Sequence, residues 1–576
     1  MPDNACSFPI IVNHLGFRPD DPLKRAVMPI PPNYTGWLGG IIPQVVDAGR
    51  LIRFPLESAE WRESLHPHFA TVEKTPLGDF AVCDFSDLRE RGGYQVLDGD
   101  RRSYPFLIYR DLWKRCFRLL LEWYRIASCG EAVPGYHEIC HLDDCRMAED
   151  GLHVDLVGGW HDAGDLRKWT STMALVTLAL TELVEEWPDR LDELGLDAEL
   201  VWRQIERGAH YLLKMIDPVT GLVWHSIASD VDSANECCVW TDNVIGTADD
   251  RGALRDCLPS TANMHVQTLA ALARVLKARN PELAAQQLAA ARTVMAALET
   301  RCTEGNAPEE LIDACGQLWR TTGEATWREQ AATGLRAVLA RQVTTAAFGQ
   351  DRLRGYFTRK GIIDGNGDFR KRGGRSLYHH TERLRQLAQA ILRWPEHPDA
   401  AGWKAALTLL LEGCIEPMIR QNPYLALPAC LCLETDPAPG ARPLAGQLRF
   451  RYFGVEAEGN NGELARAATA LALAARALGQ PKWAAYGQKQ LEWIFGNNPF
   501  ETCMMTGLGY SQAAVFSYYV GQIPGGIING FTGGREDDAP LLWLDRQASA
   551  MNMEYWSVHT AAVLHALAVL EKEPLS

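Results

Sequence analysis

The sequence lacks several features that would assign it to a common class of protein. It has no uninterrupted run of about 18 apolar residues, the length that a transmembrane helix requires. It has no basic run longer than the three residues 370–372, and its formal net charge is −15; both observations argue against nucleic acid or an anionic membrane surface as a partner. Glycine-rich phosphate-binding motifs and the GxSxG turn of serine hydrolases are also missing.

The first residues, MPDNACSFPIIVNHLGF, lack the basic segment followed by an apolar segment that marks an export signal. The chain has 15 cysteines, an odd number. Together these features predict a cytoplasmic protein whose thiols are mostly reduced.

A length of 576 residues predicts more than one domain. In roughly the first hundred residues, short apolar runs alternate with turn signals, and Asp98-Gly99 between two such runs is typical of a hairpin. This region, assigned to residues 1–105, is predicted to be a β-sandwich.

From Asp111 onward the apolar residues recur at three- and four-residue spacing, the pattern of amphipathic helices. Helices of similar length joined by loops of uneven length favour helix pairs that close into a toroid, with the long loops carrying function on one face. After a first helix over 111–130, the predicted helices span about 169–187, 197–215, 261–279, 283–301, 325–342, 377–394, 401–416, 462–478, 482–495 and 549–571.

One segment carries a set of residues suited to a metal ion. Cys129, Cys140, His141 and His161 supply two thiolates and two imidazoles, a complete tetrahedral set for a structural zinc ion. The spacing alone also allows four unrelated residues, and Cys145 and His137 are further candidates.

Carboxylates stand out at two places. Asp162 and Asp165 lie three residues apart among glycines, where Asp162 could either cap a helix that begins near Asp165 or face a ligand. Glu554 lies between apolar and aromatic residues near the final predicted helix. Such surroundings raise a carboxyl pKa and suit a general acid, although a glutamate in a first helical turn is also favoured by the helix dipole.

These segments together resemble family 9 glycoside hydrolases of the type with an N-terminal immunoglobulin-like domain, and the resemblance runs over nearly the whole chain. It rests on the following stretches: IIVNHLGFRPDDPLKRAVM, YPFLIYRDLWKRCFRLLLEWYRIASCG, ICHLDD with GLHVDLVGGWHDAGDLRKW, WIFGNNPFETCMMTGLGYS and NMEYWSVHTAAVLHALA. It implies an immunoglobulin-like sandwich over 1–105, followed by an all-α (α/α)6 barrel over 106–576.

The resemblance also implies roles for single residues. Asp165 is similar to the catalytic base, Asp162 to its partner in holding water, and Glu554 to the proton donor. The zinc ligands of this subgroup match Cys129, Cys140, His141 and His161. Trp160, Tyr555 and His559 are predicted to contact the sugar; a calcium ion is compatible with the family, but no residues are assigned to it.

Two departures from the family pattern weaken the case for cellulose as the substrate. The Pro-His-His-Arg stretch expected after the G-x-N-P segment is replaced by GYSQAAVFSYYVGQIPGGIINGF, and His559 stands where the family usually has an aromatic residue. A histidine there would respond to substrate charge near neutral pH, and the loops 217–260 and 345–376 would close one end of the groove.

The sequence therefore predicts an inverting β-glycosidase that cuts short β-linked gluco- or glucosamino-oligosaccharides from one end. An endo-β-1,4-glucanase is the first alternative, and a non-catalytic sugar-binding protein derived from the enzyme is a second, from another class. The expected partner is an oligosaccharide, with no nucleic acid or membrane.

Overall fold

A computed structural model describes most of the chain. The described residues are 9–30, 45–46, 50–54, 62–67, 70–98, 101–147, 149–228, 240–255, 258–305, 308–359, 362–363, 378–435, 437–454, 459–513, 515–517, 522–542 and 552–575.

The N-terminal region consists of two β-sheets. One sheet has the order β1-β10-β8-β4-β5, with β9 paired to β8, and the other has the order β2-β7-β6-β3. Residues from both sheets form one apolar cluster between them, as a sandwich requires. The strands are β1 (Gly16–Phe17), β2 (Arg25–Ile30), β3 (Val45–Val46), β4 (Arg50–Phe54), β5 (Arg62–Pro67), β6 (Ala70–Thr75), β7 (Gly78–Asp84), β8 (Gly92–Asp98), β9 (Arg101–Arg102) and β10 (Phe106–Ile108).

Strands β8 and β9 pair with Asp98 opposite Arg101, as the predicted hairpin at Asp98-Gly99 requires, although Gly99 itself lies outside the described residues. The sheet that contains β2 and β7 is buried on both faces. Ala81 and Cys83 of β7 point into the sandwich, whereas Phe80 and Val82 join the large apolar core of the helical region. Because both faces are covered, β7 reads as a nearly continuous apolar run instead of an alternating one.

The rest of the chain is mainly helical. The helices are α1 (Lys114–Ile126), α2 (Thr170–Glu186), α3 (Ala198–Lys214), α4 (Pro259–Val275), α5 (Pro281–Gly305), α6 (Ile312–Thr322), α7 (Ala325–Leu339), α8 (Tyr378–Arg393), α9 (Ala400–Leu410), α10 (Glu416–Ile419), α11 (Asn461–Leu478), α12 (Lys482–Ile494) and α13 (Ser557–Leu570). A π-helical turn, Leu411–Ile415, joins α9 to α10.

Six helices form a closed ring. In order around it, α2 contacts α4, α4 contacts α6, α6 contacts α8, α8 contacts α11, α11 contacts α13, and α13 contacts α2 again. Outside the ring, α3 packs mainly on α2, α5 on α4, α7 on α6, α9 on α8, α12 on α11 and α1 on α13. This is the paired-helix toroid that the sequence predicts.

The sequence prediction missed α6, one of the ring helices. Its turns carry polar residues that the ring buries, among them Asp313 and Gln317, so the apolar pattern is weak. The last helix was also predicted to begin too early. It starts at Ser557, because the residues before it pair as extended backbone with other loops.

Short sheets lie on the loops between the helices. The strands β11 (Arg146–Met147), β14 (Gly252–Leu254), β13 (Ser226–Ile227) and β12 (Lys168–Trp169) pair in that order. Three further groups are β17 (Cys430–Leu433) with β19 (Leu448–Arg451) and β18 (Arg442–Ala445), β15 (Thr358–Arg359) with β16 (Ile362–Ile363), and β20 (Thr532–Gly533) with β21 (Pro540–Leu541). None of the described helices is long and apolar enough to span a membrane.

Buried polar contacts join the sandwich to the helices. Between β1 and β2, Asp21 accepts hydrogen bonds from Lys489 and Gln488 of α12, both at 2.9 Å. Lys489 also pairs with Glu492 at 2.7 Å, and the Asp21, Lys489 and Glu492 side chains are almost fully buried. Arg18 donates a hydrogen bond to the carbonyl oxygen of Leu570 at 3.0 Å. Leu570 is the last residue of α13, and the partial negative charge at the carboxyl end of a helix stabilises a nearby cation.

The substitution Asp21→Asn tests this joint. It keeps the side-chain volume but turns an amide donor toward the buried Lys489 ammonium. We expect the free energy of unfolding to fall by about 2–4 kcal/mol, because a buried charge loses one of its partners. Urea denaturation measures the change. The control Asp84→Asn removes an exposed charge from β7 and should change stability by no more than about 0.5 kcal/mol; equal effects of the two substitutions would contradict the structure.

Candidate active site and metal centre

Backbone pairing brings distant parts of the chain to one end of the helical ring. The segment 158–163 pairs with the end of α1 on one side, where the amide of His161 donates to the carbonyl of Ala127 at 2.8 Å. On the other side Ala163 pairs with Trp556, and the amide of Ser557 donates to the carbonyl of Asp162 at 2.7 Å. The residues before α13 also pair with Ile528 and Phe516. This ladder places the Asp162 loop beside Glu554.

Asp162 and Glu554 are buried, each with 7% of its surface exposed. The Asp165 side chain is 28% exposed and lies 3.1 Å from the Arg167 guanidinium. Asp162 accepts a hydrogen bond from the Ser557 hydroxyl, and Glu554 accepts one from the Trp556 indole at 2.9 Å. Each of the three carboxyl groups therefore has a different environment.

These environments set the pKa values. Burial, together with the negative charges of Asp165 and Asp162, raises the pKa of Glu554 to about 8, against the Trp556 hydrogen bond, which lowers it. Burial raises the pKa of Asp162 to about 7, although the Ser557 hydroxyl opposes this. Burial also raises the pKa of Asp165, but the Arg167 charge lowers it. Glu554 is therefore protonated at neutral pH.

The capping interpretations do not agree with the structure. The helix after the Asp pair begins at Thr170 and not near Asp165, so Asp162 caps nothing. Glu554 precedes the first turn of α13, so the helix dipole does not explain its presence there.

The three residues predicted to contact the sugar are buried behind the carboxylates. Trp160 and Tyr555 have no exposed surface, and the Trp160 indole donates to Gln204 at 2.9 Å. His559 is 3% exposed, and burial lowers its pKa to about 4, so it is neutral near pH 7. The prediction of sugar contacts, and of a histidine that responds to substrate charge, does not agree with this burial.

His559 instead supports the acid. Its ring stacks on Trp556 with the planes 8° apart, and its Nε2 lies 2.7 Å from the Asn529 side-chain oxygen. The amide of Asn529 donates to the carbonyl of Glu554 at 2.9 Å. No space remains for a side chain at Gly462, since a Cβ there would lie 2.0 Å from the His559 ring.

The predicted metal ligands meet in one buried cluster. The donor atoms of Cys129, Cys140, His141 and His161 all lie within 4.8 Å of one another. The two imidazole nitrogens are 3.3 Å apart, and the two sulfur–nitrogen separations are 3.5 Å and 3.6 Å. A tetrahedral zinc ion with ordinary bond lengths has edges of roughly 3.3 Å between nitrogens and 3.6 Å between nitrogen and sulfur. The donor set therefore fits zinc.

The alternative ligands lie outside this set. Both ring nitrogens of His137 contact backbone carbonyls, those of Glu138 at 2.8 Å and Ile126 at 2.9 Å. Cys145 is buried but does not belong to the cluster. Four protein donors leave no open position for water, which is typical of a structural metal.

A buried ionic group beside the cluster was not found from the sequence. Asp144 accepts two hydrogen bonds from Arg251, at 2.8 Å and 2.6 Å, and pairs with Lys168 at 2.5 Å. The Lys168 ammonium also lies 3.6 Å from the Cys129 sulfur. Arg251 donates to the carbonyl of Leu166 at 2.8 Å, one residue after Asp165. Arg167 and Ser557 were missed as well. Their positions within three residues of Asp165 and Glu554 are the one sequence signal that could have indicated them.

Comparison with known proteins relates part of the chain to one family. Residues 113–358 match the model of Glycosyl hydrolase family 9. The matched segment is less than half of the chain and includes Asp162 and Asp165. The chain is 28% identical, over 179 residues, to the cellodextrinase of Butyrivibrio fibrisolvens; the match covers 28% of this chain and 32% of that protein. The chain thus spans about a third or less of the length of the curated relatives it matches.

Solved structures of the family share the fold over nearly the whole chain. A metagenome-derived family 9 endoglucanase superimposes with a TM-score of 0.68 at 19% identity, covering 98% of this chain and 99% of that one. A Zn-binding triple mutant of the family 9 endoglucanase J30 gives 0.66 at 20% identity, covering 96% and 100%.

The metal cluster generates a prediction. We expect about one zinc ion per chain by elemental analysis and loss of that ion in Cys140→Ser, with a lower melting temperature, because the free energy of metal binding contributes to folding. Cys315→Ser is the control; this buried thiol lies outside the cluster, and the variant should keep its zinc. Unchanged zinc content in Cys140→Ser would contradict the assignment.

Proposed function

We propose that the protein is an inverting β-glycoside hydrolase. The observation that carries the proposal is the division of acids in one site: a protonated Glu554 beside an Asp165 held next to Arg167. Two carboxyl groups with separated protonation states are what glycoside hydrolysis requires. The match of residues 113–358 to the family model supports the same chemistry.

In the proposed mechanism, Glu554 gives its proton to the departing glycosidic oxygen. Asp165 accepts a proton from the attacking water, and Asp162, fixed by the Ser557 hydroxyl, holds that water in place. Inversion requires the two reacting carboxyl groups to stand roughly 6.5–9.5 Å apart, with room for the water between them. The Trp556 indole orients the Glu554 carboxyl.

A structural zinc ion at Cys129, Cys140, His141 and His161 would hold the Asp162 loop at its amino end, since His161 immediately precedes Asp162. The ion takes no part in the proposed proton transfers. Lys168 and Arg251 hold the other end of the loop through the Asp144 carboxylate and the Leu166 carbonyl.

For the substrate we propose short β-linked gluco- or glucosamino-oligosaccharides, cut from one end. Support comes from the name of the cellodextrinase relative and from the segment after GNNPF, which lacks the Pro-His-His-Arg stretch. The buried His559 gives no support for a charged sugar. An endoglucanase is the second candidate, favoured by the similarity of the fold to that of the metagenome-derived endoglucanase. Of the two predicted wall loops, residues 229–239, 256–257, 360–361 and 364–376 lie outside the described residues.

We propose that residues 1–105 form an immunoglobulin-like sandwich that serves as a structural partner of the (α/α)6 barrel over 106–576. The burial of Phe80 and Val82 against the helical core supports this role, as does the ionic contact between Asp21 and Lys489.

The substitution Glu554→Gln tests the acid by activity and by stability together. We expect kcat to fall by a factor of about 10²–10⁴, because general acid catalysis is lost. The pKa of Glu554 is 4.5 in the unfolded chain and about 8 in the folded protein. Between these two pH values the folded protein keeps a proton that the unfolded chain releases. This group therefore lowers the free energy of unfolding progressively as the pH rises through that range. Glutamine carries no such charge.

The stability gain of Glu554→Gln should therefore be near zero below about pH 4.5 and reach about 2–4 kcal/mol above pH 8. Urea denaturation at pH 5 and pH 8 measures it. In the control Glu536→Gln, an exposed glutamate is replaced, and neither activity nor the pH dependence of stability should change. An active Glu554→Gln enzyme, or a gain independent of pH, argues against a buried acid.

Product analysis on an end-labelled β-linked tetrasaccharide tests the mode of attack. We expect single sugars to leave from the non-reducing end, and proton NMR to show the α-anomer first, as inversion demands. Early internal fragments, with a rapid fall in the viscosity of a soluble β-glucan, would instead establish the endoglucanase. No hydrolysis of glucosides, glucosaminides or polymer would favour a binding protein.

A further inference from the structure

The loop 240–250 folds back onto the segment that carries two of the metal ligands. The Trp240 ring lies parallel to the His141 ring, 5.8 Å away and with the planes 13° apart. The side-chain oxygen of Asn243 accepts a hydrogen bond from the amide of Leu142 at 3.0 Å, and the Thr241 hydroxyl donates to Asp143 at 2.7 Å. The loop therefore covers the metal cluster and is attached to its connecting segment.

Three carboxylates meet at this attachment. Oxygen atoms of Asp143, Asp242 and Asp249 all lie within 4.8 Å of one another. Each carboxylate destabilises the others by electrostatic repulsion unless a cation lies close by. Among the residues that the structure describes, no lysine, arginine or histidine pairs with any of the three; their recorded contacts are neutral hydroxyl and amide donors.

Asp143 provides a second and independent observation. Its side chain is fully buried, and its Oδ1 accepts from the Thr241 hydroxyl. The other oxygen, Oδ2, is buried and has no hydrogen-bond partner within the described part of the chain. An ionised oxygen left without a partner in the interior costs several kcal/mol, so this oxygen indicates a ligand that the protein itself does not supply.

The two remaining carboxylates are held in fixed orientations. Asp242 accepts from the amide of Val244 at 2.7 Å. Asp249 accepts from the Asp242 amide at 2.7 Å and from the Thr247 hydroxyl at 2.6 Å. A carboxylate oxygen has two lone pairs, so each can accept one hydrogen bond and still bind a cation. These neutral donors therefore orient the cluster without neutralising it.

We propose that Asp143, Asp242 and Asp249 bind a calcium ion, distinct from the zinc ion of the neighbouring cysteine and histidine cluster. Hard oxygen donors from a flexible loop, with the remaining positions open to water, suit calcium and its variable coordination better than magnesium, which demands a near-octahedral shell. Zinc prefers the sulfur and nitrogen donors next to it. The calcium ion clamps the loop 240–250 to Asp143 and so keeps Trp240 over the zinc ligand His141.

The test uses the full chain loaded with one zinc ion. Isothermal titration with calcium chloride should show one further site per chain, with a Kd between about 10⁻⁵ and 10⁻³ M. Terbium, a luminescent substitute for calcium, should be sensitised by excitation of Trp240, which adjoins the site. Calcium should raise the melting temperature by a few degrees, since it binds the folded chain alone, and should slow the release of zinc to a chelator several-fold.

The variants Asp242→Asn and Asp249→Asn change residues that are exposed or half-buried, so both should fold. Each should weaken calcium binding at least about tenfold and remove the melting-temperature gain, while zinc content stays at one. Asp192→Asn replaces an exposed aspartate outside the cluster and should bind calcium like the parent. The proposal is overturned if the parent binds no calcium at about 10 mM, well above the range of protein sites, or if the two variants bind as the parent does.

Discussion

The site depends on the buried ionic contact of the Asp144 carboxylate with Arg251 and Lys168. Moving a charge from water into the protein interior costs free energy. The pairing of Asp144 with two cations, Arg251 and Lys168, offsets that cost, and none of the three side chains is exposed to solvent. Two cations against one anion leave a positive excess, and the Lys168 ammonium lies beside the Cys129 sulfur. The Lys168 ammonium therefore links the ionic group to the cysteine and histidine cluster through the Cys129 sulfur, and neither is an independent feature.

The cysteine and histidine cluster and the ionic group of Asp144 together fix both ends of the loop that carries Asp162 and Asp165. His161 anchors the loop in the metal cluster, and Arg251 holds the carbonyl of Leu166 just beyond it. Leu166 itself adopts a positive φ of 63°, a conformation that costs a non-glycine residue energy. Buried contacts on both sides maintain that backbone, which turns the Asp165 carboxylate toward partial exposure while Asp162 stays buried.

Burial of charge also explains how one site holds acids in different states. Glu554 is surrounded by backbone pairing, the Trp556 indole and the stacked His559 ring, so its charged form is disfavoured. Asp165 is more exposed and lies beside Arg167. The same principle links the β-sandwich to the helical region, where Lys489 lies between Asp21 and Glu492. In each case a small number of buried charges specifies the geometry, and the apolar core supplies most of the stability.

The sequence by itself determined the order of a β region followed by a helical region and most of the helices, because turn signals and helical periodicity are local properties. Residue chemistry and the resemblance to a family singled out the four cysteine and histidine residues that the structure gathers into one cluster and the three carboxylates of the candidate site. The sequence did not reveal α6, the start of α13 at Ser557, or the pairing of Asp144 with Arg251 and Lys168. It also misjudged Trp160, Tyr555 and His559, which the fold buries. Only the tertiary structure decides these points, since burial and charge pairing depend on contacts such as that between Ser557 and Asp162, 395 positions apart in the chain.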